Sequence, residues 1–468
     1  MQIHFTTREA ELLHAVAKAA AVLDIPAFAV GGFVRDKILD RPTKDIDIVC
    51  MGDGMELAQE FAKLFKPLPP VSLFKTFGTA QVKFQDIEIE FVGARKESYS
   101  RDSRKPQVAP GTIEDDQNRR DFTINALAVE LSDAHFGTII DPFGGLLDLD
   151  KGILKTPLAP DQTFDDDPLR MMRAARFAAQ LNFEIAPEAL SAMKDMAERI
   201  NIISAERIRD EFIKLLMSNN PRAGISILVA TGLAELVLPE IPKLQLEIDE
   251  HHHHKDVYEH SLTVLEQAIS LENRLHGKNL VIRLAALLHD IGKPKTRALI
   301  AGGGVSFHHH EVVGARLAKE RLKKLRFSNE VIEEVETLIS LHLRFHGYGD
   351  GEWTDSAVRR YVRDAGDLLT HLHVLTRADC TTRNQRKAER LAKTYDELEA
   401  RIDRLAEEEE LAAIRPDLDG AEVMQLLNLK PSREVGLALD FLLELRLEEG
   451  PLRKEVATEK LLNWWKSR

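Results

Sequence analysis

The sequence predicts a small mixed α/β head at the N-terminus, followed by an all-helical body that runs to the end of the chain. Three observations carry this. Short apolar runs bounded by turn residues, at 27–31, 45–50, 79–84, 87–92 and 125–130, read as strands of one sheet, with a helix over 8–23 packed against it. Asp141-Pro142-Phe143-Gly144-Gly145 then breaks the pattern. From about residue 166 onward, helical periodicity dominates. A chain of 468 residues is long enough for three or four domains, each with its own core.

In the head, Phe28-Ala29-Val30 enters the paired glycines Gly31-Gly32 and then a helix beginning Phe33-Val34-Arg35-Asp36. A Gly-Gly turn at a helix N-terminus offers backbone N–H groups to a phosphate. The next strand reads Asp45-Ile46-Asp47-Ile48-Val49. Side chains alternate along a strand, so Asp45 and Asp47 share a face, about 7 Å apart, while Ile46 and Ile48 point to the core. Paired carboxylates suit hard cations such as Mg²⁺. A phosphate cradle followed by paired carboxylates points to nucleotidyl transfer. The run Gln81 to Phe91 reads as a hairpin with Glu88 and Glu90 on one face, and either glutamate can complete the site.

Further along, Asp165-Asp166-Asp167-Pro168 reads as a helix opening, with acids in the first turn and an early proline. Asp167 and Arg170 then share a helix face. A carboxylate only accepts hydrogen bonds and a guanidinium only donates. Cytosine and adenine donate from N4 and N6 and accept at N3 and N1, whereas uracil and guanine present the reverse. The pair reads either as an intrahelical ion pair or as a base-reading edge, and in the second role one Asp–Arg pair can admit CTP and ATP while rejecting UTP and GTP. Arg120 and Asp121 are expected to begin a strand-like segment entering the sheet, and the charged stretch from Arg95 to Val108 to form a mobile loop.

The body carries a second constellation. His260, His289-Asp290 at the end of the apolar run Leu284–Leu288, His310, His342 and Asp379 make a set of imidazoles and carboxylates. Such donors suit Mn, Ni, Co, Fe or Zn rather than Mg alone. The run His251–His254 lies just upstream. The segments Gly302–Val305 and His346–Glu352 read as breaks between helices, and Lys387–Glu410, Ala421–Leu427 and Glu434–Glu448 as C-terminal helices without chemistry of their own.

The net charge of −13 argues against a uniformly RNA-binding surface, yet an RNA footprint is a local basic stripe. Basic residues cluster at Arg95, Lys96, Arg101, Arg104, Lys105, Arg119 and Arg120, and again at Arg170, Arg173 and Arg176. Two cysteines give no disulfide framework. No apolar run reaches the length of a membrane span and the N-terminus does not read as a secretory signal. The expectation is a cytoplasmic protein with no membrane association and no obligate protein partner.

Val30-Gly31-Gly32-Phe33-Val34-Arg35-Asp36, Asp45-Ile46-Asp47, Arg119-Arg120-Asp121-Phe122-Thr123-Ile124-Asn125-Ala126, Asp166-Asp167-Pro168-Leu169-Arg170 and Glu206-Arg207-Ile208, in this order, resemble the class II tRNA nucleotidyltransferases: the CCA-adding enzymes and their relatives the bacterial poly(A) polymerases. Asp166 stands where the family has Glu. The resemblance implies Asp45, Asp47 and Glu90 as the catalytic carboxylates, Glu90 being selected over Glu88 by its place ahead of Arg95. It implies Gly31, Gly32, Arg35, Arg120, Asp121, Asn125, Asp167, Arg170 and Arg173 around the nucleotide, with Asp121 by the ribose and Arg119 and Arg120 near phosphates. Glu206 and Arg207 would brace the helix turn without chemistry. The family's loop between the Glu90 strand and Arg119 helps switch from C to A addition. His289-Asp290-Ile291-Gly292-Lys293-Pro294 is similar to the HD phosphohydrolase superfamily, which implies metal ligands at His260, His289, Asp290 and Asp379, with His310 and His342 serving a second ion.

The implied organisation is a head over 1–155, a helical neck with the base-reading motif over 156–245, an HD domain over 246–385 and a helical tail over 386–468. The implied activity is template-independent addition of CCA to tRNA 3′ ends from CTP and ATP with Mg²⁺, beside a transition-metal phosphohydrolase site. The rival expectations are a poly(A) polymerase, an A-adding or a CC-adding relative, and a metal-dependent phosphohydrolase with a degenerate nucleotide-binding module.

Overall fold

The computed structural model describes residues 3–76, 78–100, 103–245, 256–300, 305–345, 353–382, 384–409 and 414–468, with backbone alone for 97–100, 103–108 and 408–409. The chain divides into two compact units, Met1–Val237 and Leu238–Arg468. The His251–His254 run, the His346–Glu352 segment and most of the Gly302–Val305 segment lie outside the described residues.

Helix α1 (Thr7–Val22) starts at a capping box in which Thr6 and Glu9 exchange side-chain and backbone hydrogen bonds. It is followed by β1 (Ala27–Val30), α2 (Gly32–Ile38), β2 (Asp45–Cys50), α3 (Gly54–Lys63), β3 (Val71–Phe74), β4 (Thr79–Phe84) and β5 (Ile87–Gly93). A separate two-stranded ribbon, β6 (Arg95–Ser100) with β7 (Ser103–Pro110), precedes α4 (Ile113–Asn118), β8 (Ala128–Glu130) and β9 (Ile139–Ile140). The main sheet has seven strands in the order β3-β4-β5-β2-β1-β8-β9. Its one parallel pair is β2 with β5, which are joined through α3 and the β3–β4 hairpin.

That parallel pair decides where the acids go. Directly paired residues on neighbouring strands point to the same face, and the register sets Asp45 beside Glu88 and Asp47 beside Glu90. Ile46, Ile48, Ile89 and Phe91 alternate to the other face. There they join Leu12, Leu13 and Val16 of α1 and Leu57, Ala58 and Phe61 of α3 in one buried cluster. Each fully buried side chain of this size contributes about 1.5–3 kcal/mol. The core thus holds rigid the strand that presents the carboxylates.

Unit 1 continues with helices α5 (Gly145–Lys151), α6 (Pro160–Asp166), α7 (Leu169–Leu181), α8 (Pro187–Asp195), α9 (Ala205–Leu216), α10 (Pro221–Ala230) and α11 (Leu233–Val237). Asp141 ends the strand pattern, as expected, by accepting the N–H groups of Gly145 and Leu146 at the start of α5. Unit 2 is helical: α12 (Val257–Ser270), α13 (Leu280–Leu288), α14 (Lys293–Thr296), α15 (His310–Lys324), α16 (Asn329–Leu341), α17 (Asp355–Ala365), α18 (Leu369–Asp379), α19 (Gln385–Glu409), α20 (Gly420–Leu427), α21 (Arg433–Glu449) and α22 (Lys454–Lys466). Among the described residues no helix is long and apolar enough to cross a membrane.

Three expectations are corrected. The stretch from Arg95 to Val108 is a paired β ribbon, not a loop: β6 and β7 are in antiparallel register from Arg95–Pro110 to Ser100–Ser103. Its prolines, Pro106 and Pro110, both lie in β7 of this two-stranded ribbon, where a reading of proline as a chain breaker misses the strand. Arg120 and Asp121 do not begin a strand. They close a turn after α4, and a 3₁₀ turn at Thr123–Asn125 intervenes before β8. Asp165 and Asp166 end α6 rather than opening α7, which starts after Pro168.

Candidate active site and metal centre

The Gly-Gly turn is built as the sequence implies. Gly31 has φ +72°, in the left-handed region that glycine tolerates best, and α2 begins at Gly32. A side chain at Gly31 would have its Cβ 2.6 Å from Arg120 Nη1 and 3.4 Å from Asp47 Oδ2. Arg120 therefore occupies the floor of the turn, directly beside Asp47. Burial, Glu90 and Asp45 together push the Asp47 carboxyl up to about 6, against the opposing pull of Arg120. A group of oxygen donors that resists ionising together is what a bound cation relieves, so these carboxylates fit a hard divalent ion. Glu88, on the same face, is held by Gln81 at 3.0 Å and faces Lys83 at 3.4 Å. Glu90 is the register partner of Asp47.

Around this face runs a chain of ion pairs. Asp116 is fully buried and binds both arginines of the Arg119-Arg120 pair, with Arg120 Nε and Nη2 donating to its Oδ2 at 3.0 and 2.8 Å. Burial alone would raise the Asp116 pKa, but the two guanidiniums hold it below the usual range. Asp121 accepts from Phe122 N–H and Asn125 Nδ2 on one oxygen, both at 2.9 Å, and from Arg173 Nε at 2.7 Å on the other. Burial opposes ionisation there too, and Arg173 with Asn125 overcomes it, keeping Asp121 far below the usual range. Arg35 Nη1 donates to Asn125 Oδ1 at 2.7 Å, and Arg176 pairs with Glu211. Arg35, Arg173 and Arg176 all lie against the Phe177 ring, within 5.4 Å of its centroid.

One sequence expectation changes here. Arg170 and Arg176 are buried and Arg173 is held by Asp121, so these three residues do not form an outer basic stripe. Asp167 and Arg170 do lie at one helix start, each with its own anchor. Asp167 Oδ1 accepts Leu169 N–H at 3.1 Å and its Oδ2 faces Arg207 at 3.7 Å. Arg170 donates to the carbonyls of Thr163, at 3.1 Å, and Arg119. A guanidinium has five N–H donors, so these two bonds fix it and leave it able to donate again. Sequence reasoning missed Asp116 and Glu211. Asp116 stands three and four residues before Arg119 and Arg120, a helical spacing that signals such a pair. Glu211 meets Arg173 and Arg176 only through the packing of α9 on α7, and no local pattern announces it.

In unit 2 the predicted constellation comes together. His260, His289 and Asp379 form one group and Asp290, His310 and His342 another, the donor atoms within each lying within 4.8 Å of one another. His289, His310 and His342 turn Nδ1 to the carbonyls of Ala286, Phe307 and Ile339 at 2.7–2.9 Å. His260 Nδ1 meets Thr381 Oγ1 at 3.1 Å. Each ring is thereby oriented with Nε2 toward the carboxylates. The Nε2 atoms of His289, His310 and His342 are buried and take no hydrogen bond of good geometry. Buried, aligned and unsatisfied imidazole nitrogens next to two carboxylates fit a divalent metal. Burial drives His342 down to about 3, which keeps it neutral and able to ligate. His289 is also pulled down by burial, but Asp290 and Asp379 outweigh that and lift it to about 10, so a metal there must displace a proton. Lys293 Nζ reaches Asp290 Oδ2 at 2.9 Å.

Comparison with known proteins agrees with this layout. Residues 27–155 match the model of the "Poly A polymerase head domain", residues 182–244 that of the "Probable RNA and SrmB- binding site of polymerase A", and residues 257–384 the HD domain. An A-adding tRNA nucleotidyltransferase of Deinococcus radiodurans is 35% identical over 72% of this chain and 76% of its own length. A multifunctional CCA protein of Neisseria meningitidis is 36% identical over 69% of this chain and 73% of its own. In fold, the chain is similar to a Thermotoga maritima CCA-adding enzyme solved with tRNA, at TM-score 0.63 and 19% identity, covering 99% of this chain and 100% of that one. Both the head and the HD domain are of metal-dependent kinds, so the chain uses divalent metal. The chain belongs to the tRNA nucleotidyltransferase and poly(A) polymerase family, with an HD domain in its second half.

Proposed function

We propose that this protein adds CCA to the 3′ end of tRNA from CTP and ATP. The observation that carries the reading is the register of Asp47 beside Glu90, with Asp45 on the same face and the Gly31-Gly32 turn next to them. Asp45, Asp47 and Glu90 would hold Mg²⁺, which would supply charge stabilisation for transfer of the nucleotidyl group to the 3′ hydroxyl with loss of pyrophosphate. The N–H groups at the start of α2 and the Arg120 guanidinium receive the triphosphate. Arg35 and Asn125 tie α2 to Asp121, and Asp121 holds Arg173 on α7, the helix that also carries Arg170. Asp167 accepts from the exocyclic amine and Arg170 donates to the ring nitrogen of cytosine or adenine. The arrangement belongs to the cytoplasm, where tRNA and nucleotides meet. We assign the work to a head over 1–155, a base-reading neck over 156–245, an HD domain over 246–385 and a tail over 386–468.

The test is incorporation by purified protein of each of the four labelled nucleotides into tRNA ending before the CCA, after the first C, and after both. Ordered addition of C, C and A with exclusion of UTP and GTP is the expected outcome. Use of ATP alone on CC-ending tRNA would identify an A-adding enzyme, and open-ended A addition a poly(A) polymerase.

The unsatisfied Nε2 atoms of unit 2 favour a second activity, hydrolysis of phosphoesters by a transition-metal centre of Mn, Ni, Co, Fe or Zn. A 2′,3′-cyclic phosphate at a damaged RNA end is the substrate class closest to the first activity.

A further inference from the structure

Helix α19 lies beyond the matched HD domain, which ends at residue 384, and the sequence gives it no chemistry of its own. Its one large buried aromatic, Tyr395, makes two contacts that bear on the metal centre. The first is to α18. The last four carbonyls of an α-helix lack an intrahelical partner, and in the final turn of α18 the carbonyl of Thr376 takes the Tyr395 hydroxyl at 2.6 Å. Thr376 stands three residues before Asp379, a ligand of the first group. The second contact is to the turn that follows α16. Phe345, three residues after His342 of the second group, stacks on Tyr395 with ring centroids 3.7 Å apart and planes 17° from parallel.

One side chain therefore touches the last turn of α18 and the turn that follows α16, and these two segments carry ligands of different groups, Asp379 and His342. The contact with α18 is reinforced beside it: Arg377 lies 5.1 Å from the Tyr395 ring centroid and pairs with Asp396 at 2.7 Å and Glu399 at 3.0 Å, both on α19. Glu399 also pairs with Arg274 at 2.7 Å and His373 at 3.2 Å. Burial holds the Tyr395 phenol protonated, so it remains a donor to Thr376.

We propose that Tyr395 is a positioning residue for the metal centre. It is wedged between the helix ends that present His342 and Asp379, and it sets the spacing between the two ligand groups. Helix α19 is on this account a working part of the HD centre. The inference rests on the reading of that cluster as a metal site.

The test is Mn²⁺ titration by calorimetry on full-length protein carrying Asp47→Asn, so that the head carboxylates do not compete. Tyr395→Phe removes the hydroxyl and keeps the stack; Tyr395→Leu removes both. Partners behind metal ligands typically govern affinity by about 10- to 100-fold. The Phe variant is expected to bind about tenfold more weakly and the Leu variant more weakly still. Thermal midpoints with and without Mn²⁺ separate positioning from packing: loss of positioning shrinks the rise that Mn²⁺ gives, whereas loss of packing alone lowers both midpoints and preserves the rise. If the Leu variant does not fold, the Phe variant decides. A Phe variant within about twofold of the parent in Mn²⁺ affinity overturns the role of Tyr395. A parent that binds no Mn²⁺ overturns the metal centre itself and the inference with it.

Discussion

Asp47 and Glu90 stand side by side on a parallel strand pair of the head sheet, on the face opposite the core. Burial, together with the proximity of Glu90, lifts the Asp47 carboxyl to about 6 from an ordinary 3.8. The sign of the consequence is definite. Without metal, the contribution of this raised group to fold stability is complete below its unfolded value and is lost as pH rises through about 6. Metal binding needs the ionised carboxylate. The Mg²⁺ concentration for half-maximal nucleotide addition should therefore rise on acidification below about pH 6 and be flat above about pH 7. Equal Mg²⁺ requirements at about pH 5 and about pH 8 would separate Asp47 from the metal.

Gly31→Ala places a methyl in the left-handed region and 2.6 Å from Arg120 Nη1. The strain is about 1–2 kcal/mol, and the clash falls on the movable end of an arginine. A modest drop in thermal midpoint should accompany a much larger rise in KM for both CTP and ATP. Unchanged KM values would mean that Arg120 and the turn do not receive the triphosphate.

Arg170→Ala removes the donor half of the base-reading pair and the anchors to Thr163 and Arg119. Incorporation of C and A should fall, and the ratio of correct to incorrect nucleotide should fall with it by about 10- to 100-fold, in line with about 1–3 kcal/mol of base discrimination for one good bidentate contact. Retained discrimination at reduced rate would make the arginine a structural tie only.

Much of this was legible beforehand, for reasons that differ by residue. Period-two alternation alone put Asp45 and Asp47 opposite Ile46 and Ile48, and the sheet obeys it. His289-Asp290 was legible because it follows the apolar run Leu284–Leu288 that ends its helix. Glu88 against Glu90 was not decidable from alternation, since both share a face; the family resemblance selects Glu90, and in the sheet Glu88 lies beside Asp45 and Glu90 beside Asp47. The ribbon over β6 and β7 was hidden by prolines and charges that read as loop. The burial of Arg170 and Arg176 was hidden because their partners, Glu211 and the carbonyls of Arg119 and Thr163, are distant in sequence.

Asp290→Ala removes a carboxylate whose oxygens face His289 and His310 at 3.2 Å and Lys293 at 2.9 Å. Metal-stimulated hydrolysis of a 2′,3′-cyclic nucleotide should disappear while nucleotide addition continues at the parental rate. Joint loss of both activities would indicate that the centre serves the fold rather than a reaction of its own.

If Asp45, Asp47 and Glu90 are the carboxylates of nucleotidyl transfer, single-turnover addition of labelled CTP to tRNA lacking its CCA end will separate parent protein from Asp47→Asn. The rate should fall by at least about 10³-fold, as for removal of a principal source of transition-state charge stabilisation, with tRNA affinity within about twofold of the parent. Addition by the variant at a rate near that of the parent, with the same Mg²⁺ dependence, would contradict that assignment.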